Sequence, residues 1–157
     1  MEEDTAKPVE ASVWIRARPE TVFAFLIEPE KLVQWIGLTA ALDPRPGGLF
    51  RVDVNGRTVV RGEYLALEPP RRVVFSWGHE DGVLLPAGST TVEITLVPED
   101  GGTRVQVRHS QLPPAERPAH AMGWAHYADR LRVRAEGGDP GPDPYASPEA
   151  PHGSRSV

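Results

Sequence analysis

About seven short segments in which apolar and polar residues alternate come before one long segment of helical period. Alternation with period two predicts strands that each bury one face. Most of the connections between these segments contain Pro, Gly or Asn, and Asn55-Gly56 is the strongest hairpin signal among them. Because hairpins join antiparallel neighbours, the pattern constrains the chain to an antiparallel sheet. Only the helices can cover the apolar face of that sheet.

The predicted order is one strand, two short helices, about six strands and one long helix. The first helix begins at Pro19-Glu20 and ends before Pro29, the second covers 30–36, and the last runs from about 115 to 135. The predicted strands cover residues 9–16, 39–43, 49–54, 58–67, 71–77, 89–97 and 103–110. One helix cannot fill the concave face of a strongly bent sheet, so we expect a cavity between the helix and the sheet.

A single domain accounts for most of the 157 residues, and both ends of the chain are acidic. We predict an acidic N-terminal extension over 1–8, a domain over 9–136 and a Pro/Gly-rich tail over 137–157. The tail is interpreted as a solvated end, and packing of Tyr145 back onto the domain is the less favoured alternative. Residues 1–10 and 136–157 each carry −3 of the formal charge of −5, which leaves the middle at +1.

The near-neutral domain has no basic stripe for a phosphate backbone, so we expect no nucleic-acid partner. The absence of Cys excludes disulfides, thiol nucleophiles and thiolate metal centres. No apolar run reaches the ~18–20 residues that a membrane-spanning helix needs, and the acidic start has no signal-peptide core. We therefore expect a cytoplasmic protein without a membrane partner.

Seven groups of residues occur in the order found in one known superfamily. They are Ala17-x-Pro19-Glu20-x-Val22-Phe23, Leu32-x-x-Trp35, Pro46-Gly47-Gly48-x-Phe50, Gly62-Glu63-Tyr64, Pro69-Pro70-Arg71-Arg72-Val73 leading to Phe75-x-Trp77, Gly101-Gly102-Thr103-x-Val105, and Gly123-Trp124. With these groups, residues 9–135 resemble the SRPBCC superfamily (START-related, helix-grip), in the branch similar to the C-terminal domain of the activator of heat-shock-protein-90 ATPase.

The resemblance implies an α+β helix-grip fold. In this fold a bent antiparallel sheet of six to seven strands wraps around a long C-terminal helix, and two short helices follow strand one. The superfamily includes ligand-binding proteins, polyketide cyclases and aromatases, and co-chaperone domains, so the fold alone does not decide the function.

The sequence is therefore compatible with two functions. The first is binding of a small hydrophobic or aromatic molecule in the cavity, either alone or with cofactor-independent acid–base catalysis of the cyclase or aromatase type. The alternative is a protein-interaction module resembling a chaperone ATPase activator. Neither needs a cofactor, and both a monomer and a homodimer stay open.

Aromatic residues dominate the expected cavity wall, although a purely structural role in the core is an equally good interpretation of them. The residues predicted to bind ligand are Trp35, Phe50, Val52, Tyr64, Phe75, Trp77, His109, Met122, Trp124 and Tyr127. No metal site is expected, because His120 and His126 are six residues apart and so lie on different faces of a helix.

Three residues are candidates for acid–base catalysis. His79 is in phase with Trp77, and His109 with Val107, so both are expected to point inward at strand ends. A His at a cavity mouth can bind a ligand or transfer a proton, because its pKa lies near neutrality. The alternative for each is a solvent-facing His at a frayed strand end.

The third candidate, Glu63, depends on which face of the strand 58–67 points inward, because both faces carry apolar residues. An inward Glu63 could pair with Arg61 inside the cavity, where a buried ion pair would signal function. An outward surface pair is the favoured alternative, and it would put Tyr64 in the aromatic wall.

Overall fold

A computed structural model of the chain describes residues 7–146. The acidic start and the last eleven residues of the predicted tail lie outside the described residues. The strands are β1 (Val9–Ile15), β2 (Thr39–Leu42), β3 (Leu49–Asp53), β4 (Val59–Glu68), β5 (Arg72–Trp77), β6 (Thr90–Glu99) and β7 (Gly102–Ser110). The helices are α1 (Pro19–Ile27), α2 (Pro29–Leu32) and α3 (Arg117–Ala135).

The seven strands form one antiparallel sheet in the order β1-β7-β6-β5-β4-β3-β2. Consecutive strands from β2 to β7 are neighbours, as their short connections require, and β1 joins the sheet beside β7. Two short helices follow β1, and the long helix α3 comes last, after the turn Pro114–Glu116. The fold is the helix-grip fold.

The second helix is shorter than predicted. It ends at Leu32, and turns carry the chain on to Gly37, which adopts a φ of +87°. Leu32, Trp35 and Ile36 are nevertheless all buried, so these three residues share one buried side as their spacing predicted. A side chain at Gly37 would be strained by its left-handed backbone and would also contact Val52.

One face of the sheet packs against α1 and α3, and the core lies between these layers. Pro118 is the second residue of helix α3, a position in the first helical turn where proline is tolerated. Its buried positions recur every three or four residues, which is the helical period. They are His120, Gly123, Trp124, Tyr127, Ala128, Arg130 and Leu131.

Strand β4 bends at a register shift between Tyr64 and Ala66. A Cβ at Gly62 would collide with the backbone carbonyl of Ser76 on β5, so the close approach of the two strands requires glycine here. A bulge of this kind increases the local bend and twist of a sheet. The bend directs Tyr64 into the core, whereas Arg61 and Glu63 are exposed on the other face.

The first part of the predicted tail folds back onto α3. An Nη1–H of Arg130 donates to the Gly141 carbonyl (3.1 Å), and Nε2 of His126 lies 2.8 Å from Oδ1 of Asp143. The ring of Tyr145 lies 4.4 Å from that of His126 and packs against the core. Through Tyr145 the chain therefore follows the less favoured alternative of a tail that packs on the domain.

Candidate functional site

Nine of the ten residues predicted to bind ligand are buried, each at most 4% exposed. Phe50 stacks on Phe75 with ring centroids 4.0 Å apart, and Trp77 lies 5.3 Å from Trp124. The hydroxyl of Tyr64 donates to the Leu26 carbonyl at 3.2 Å. These side chains form a continuous aromatic interior between the sheet and the helices.

The interior is almost filled, whereas the sequence predicted a cavity between the helix and the sheet. The void at its centre measures about 10 Å³, between α1, the turns after α2, the sheet and α3. Ligand pockets usually measure ~300–1,000 Å³, so the large rings have filled most of the expected space. A ligand could enter this interior only if side chains moved.

Two predicted site residues point away from the interior. Met122 is 65% exposed, because it lies two positions from both His120 and Trp124 and so about half a helical turn from the buried stripe. Glu63 is exposed because the bend in β4 directs Tyr64 inward instead. Arg61 pairs with Glu80 at 2.9 Å, and not with Glu63.

Tyr127 is buried near the middle of α3, next to the returning tail. Burial, and after it the charge of the Asp143 carboxylate, raises the pKa of its phenol. The ring of Tyr127 lies 6.1 Å from that of Tyr145. Its ring packs against the tail, and its hydroxyl is buried without a hydrogen-bond partner among the described residues.

Both ring nitrogens of His109 are occupied. Trp124 Nε1–H can only donate, and it lies 3.0 Å from Nδ1 of His109, which must therefore be the bare nitrogen. The proton is on Nε2, which donates to Thr90 Oγ1 at 2.8 Å, and the Thr90 hydroxyl donates to the Trp77 carbonyl at 2.7 Å. This chain of bonds joins α3 to three neighbouring strands.

His109 therefore differs from the acid–base candidate that the sequence suggested. It points inward as predicted, but neither nitrogen is free to accept or give a proton to a ligand. Burial, and after it the neighbouring His120, holds the pKa of His109 well below its usual value of 6.5. Its role in the described structure is to hold Trp124 and Thr90 in place.

His120 is the polar residue that sequence analysis missed as a site candidate. Its Nδ1 lies 2.8 Å from the Glu116 carbonyl, which can only accept, so Nδ1 carries the proton. Its bare Nε2 is buried and has no hydrogen-bond partner among the described residues. Burial lowers the pKa of His120 from 6.5 to about 4. The i−4 spacing of Glu116 was visible in the sequence, but the burial was not.

His79 lies in the connection between β5 and β6 and is buried, as its phase predicted. Its Nε2 also lacks a partner in residues 7–146, and burial lowers its pKa. His79 lines a surface groove of about 290 Å³. The rest of the groove is formed by Arg57, Thr58, Asp81, Val83 and Leu84.

The connection that carries His79 is tied to the outer strands. The Glu80 carboxylate accepts from Arg51 and Arg61, each at 2.9 Å, and these bonds lower the pKa of Glu80 to about 2. The backbone N–H of His79 donates to the Leu85 carbonyl at 2.7 Å. The connection that forms one wall of the groove is therefore held in place by hydrogen bonds.

A second void lies between Trp77, His120, Gly123 and Trp124, and it has no room for a water molecule. Two of these residues carry a buried polar atom without a partner in the described part of the chain, Nε1–H of Trp77 and Nε2 of His120. Trp77 and Trp124 also line the central void. The two indoles therefore separate one small void from the other.

Within residues 7–146, no three His, Asp or Glu side chains lie close enough together to hold a metal ion. None of the helices in this range is both long and apolar enough to cross a membrane.

Residues 16–136 match the family model described as "Activator of Hsp90 ATPase homolog 1-like protein". The AHSA1-like protein of Rhizobium etli, solved in solution, is 42% identical over 92% of this chain and 91% of that one, with a TM-score of 0.70. DynU16, described as a putative protein in the dynemicin biosynthetic locus, is 25% identical with a TM-score of 0.74. No curated protein sequence matches the chain.

The alignment with DynU16 covers 85% of this chain and 49% of DynU16, so the chain spans about half the length of that protein. The Aha1 dimer of Colwellia psychrerythraea is 21% identical, over 83% of this chain and 97% of that one, with a TM-score of 0.71. At that identity the likeness concerns the fold alone.

Proposed function

Because the chain belongs to the family of Activator of Hsp90 ATPase homolog 1-like proteins and has its helix-grip fold, we propose that it binds a small hydrophobic or aromatic molecule between the sheet and α3. The observation that carries the proposal is the pair of unpartnered polar atoms, Trp77 Nε1–H and His120 Nε2, inside an aromatic interior. Buried polar groups nearly always have hydrogen-bond partners, so each exception calls for an explanation.

A water molecule does not supply that explanation, because the void beside these atoms has no room for one. A ligand that separated Trp77 from Trp124 would join the two voids and bring its own polar group to the free atoms. The surrounding aromatic rings would pack on its apolar part.

The groove beside His79 is the proposed mouth. His79 follows the end of β5 that carries Trp77, so the groove lies at the same end of the sheet as the void. His79 is also near enough to His120 for a charge on it to lower the pKa of His120. Val83 and Leu84 line it and are 75% and 45% exposed, so an apolar ligand meets an apolar rim there. Binding without turnover is the simpler form of the proposal, since a general base works best with a pKa near the working pH and burial lowers the pKa of His79, His109 and His120.

The test uses three probes, naphthalene, 2-methoxynaphthalene and 2-naphthol, with binding followed by calorimetry and tryptophan fluorescence. Gly123→Ala places a methyl group in the void beside Trp77 and should weaken all three probes at least about ten-fold. The void has no room for a water molecule, so the added methyl group overpacks it at a cost of about 1–3 kcal/mol, of which the higher helix propensity of alanine offsets ~1 kcal/mol.

Met122→Ala is the matched control, because it changes the exposed face of the same helix one residue away. It should bind every probe as the unchanged protein does. If none of the probes binds the unchanged protein, the proposed function is wrong. If Gly123→Ala binds as well as Met122→Ala, the location is wrong.

The exposed pair Val83 and Leu84 also favours a second candidate, contact with another protein. The family description names an activator of the Hsp90 ATPase, so a chaperone of that class is the partner to test. Stimulation of its ATPase by the unchanged protein, lost with Val83→Ser and Leu84→Ser together, would support this candidate. Unchanged ATPase activity in the presence of the unchanged protein would remove it.

A further inference from the structure

The free ring nitrogen of His120 is a hydrogen-bond acceptor of fixed orientation. The Glu116 carbonyl, one helical turn earlier, holds the proton on Nδ1 and so leaves a lone pair on Nε2. His120 is 1% exposed, and its ring packs edge-on against that of His109 at 5.2 Å. The ring therefore cannot turn to exchange its two nitrogens without losing the bond to Glu116.

The indole of Trp77 is a donor held as firmly. Its backbone carbonyl accepts from the Thr90 hydroxyl at 2.7 Å, and its ring lies between Phe75 at 6.3 Å and Trp124 at 5.3 Å. Trp77 is 1% exposed, and its Nε1–H has no partner within residues 7–146. An indole N–H can only donate.

Trp77, which carries the free donor, and His120, which carries the free acceptor, therefore line the same void. A hydroxyl group is the smallest polar group that satisfies both, because its O–H donates while its oxygen accepts. A carbonyl or an ether oxygen could satisfy Trp77 alone and would leave His120 unpaired.

A carboxylate or phosphate does not suit this void either. None of the four residues around it carries a positive charge, since His120 is held neutral by its burial. The buried Arg130 lies elsewhere on α3, and its guanidinium donates to the carbonyls of Trp35 and Gly141. An anion would lose its hydration at the void without gaining a counter-charge.

We infer that His120 and Trp77 select an uncharged aromatic hydroxyl compound, whose O–H donates to His120 Nε2 and whose oxygen accepts from Trp77 Nε1–H. The inference rests on the proposed function and names the ligand class for the same site. The lowered pKa of His120 supports it, because the nitrogen stays bare at neutral pH and available as an acceptor.

The naphthalene series tests the inference at pH 7 by calorimetry. 2-Naphthol should bind the unchanged protein at least about ten-fold more tightly than 2-methoxynaphthalene, which has the same oxygen but no proton to donate. 2-Methoxynaphthalene should in turn bind more tightly than naphthalene, because its oxygen still accepts from Trp77.

Two variants assign the preference to its residues. His120→Phe should remove the advantage of 2-naphthol over 2-methoxynaphthalene, and His120→Gln, which keeps an acceptor oxygen, should restore part of it. Trp77→Phe should remove the advantage of 2-methoxynaphthalene over naphthalene. Naphthalene affinity checks the apolar site in each variant, since neither hydrogen bond affects it.

The outcomes separate this inference from the proposed function. If no member of the series binds, the proposed function is wrong and this inference is wrong with it. If all three bind the unchanged protein within about two-fold of one another, the apolar site stands and the hydroxyl selection is wrong. That comparison uses only the unchanged protein, so its result does not depend on whether the variants fold.

Discussion

His120 makes the fold sensitive to acid, and the sensitivity can be measured by removing it. In the folded state burial lowers its pKa to about 4, whereas in the unfolded chain it returns to about 6.5. Above pH 6.5 both states are neutral at this residue, and His120 then has no effect on the pH dependence of stability. Between pH 6.5 and 4 the unfolded state binds the proton and the folded state does not, so stability falls as pH falls.

The magnitude follows from the two pKa values. Each pH unit in this window changes the free energy of unfolding by ~1.4 kcal/mol for one proton, which gives a total loss of about 3 kcal/mol by pH 4. His79 and His109 act in the same direction, because burial lowers their pKa values as well. The unchanged protein should therefore show a slope larger than that of a single proton.

The perturbation is His120→Gln, and the assay is urea unfolding at half-unit steps from pH 7.5 to 4.5. The difference in unfolding free energy between the two proteins should be constant above pH 6.5 and then change by ~1.4 kcal/mol per unit in favour of the variant. Taking the difference cancels the carboxylates, which both proteins share, and leaves the titration of His120 together with its influence on His79 and His109.

Val105→Ala is the control, because it lowers stability in the core without removing a titrating group. Its curve should run parallel to that of the unchanged protein at every pH. A His120→Gln curve that is also parallel throughout would refute the argument, since it would mean that the fold does not hold His120 neutral.

Three further predictions concern the packing around the site. Trp124→Phe leaves Nδ1 of His109 buried and unpaired, and should lower the unfolding free energy by about 2–4 kcal/mol in urea titrations. Gly62→Ala sets a methyl group against the Ser76 carbonyl and should cost about 1–3 kcal/mol, measured as a lower Tm. Glu80→Gln weakens the ties to two arginines and should speed amide exchange over 79–86 with little change in Tm.

The order of elements was predictable from local patterns. Alternation over 89–97 and 103–110 predicted β6 and β7, and the Asn55-Gly56 signal predicted the hairpin between β3 and β4. The helical period of α3 predicted a buried stripe through Trp124 and Leu131. These patterns report secondary structure because the period of a side-chain pattern depends only on backbone geometry.

Local patterns did not predict which side chains are buried where a segment had two apolar faces or none. The strand 58–67 could present Tyr64 or Glu63 to the core, and the close contact of Gly62 with β5 decided between them. The tail 137–145 has no period at all, so its packing through Tyr145 depends on the surface that α3 offers.

The sequence by itself determined the order of strands and helices, the family and an aromatic interior between sheet and α3. Only the tertiary structure decided which polar atoms in that interior are free. His109 loses its free nitrogen to Trp124, which is fifteen residues away along the chain, and His120 keeps one because no donor among the described residues lies within hydrogen-bond distance of it. Hydrogen-bond partners and void volumes depend on three-dimensional distances, which the period of a sequence does not encode.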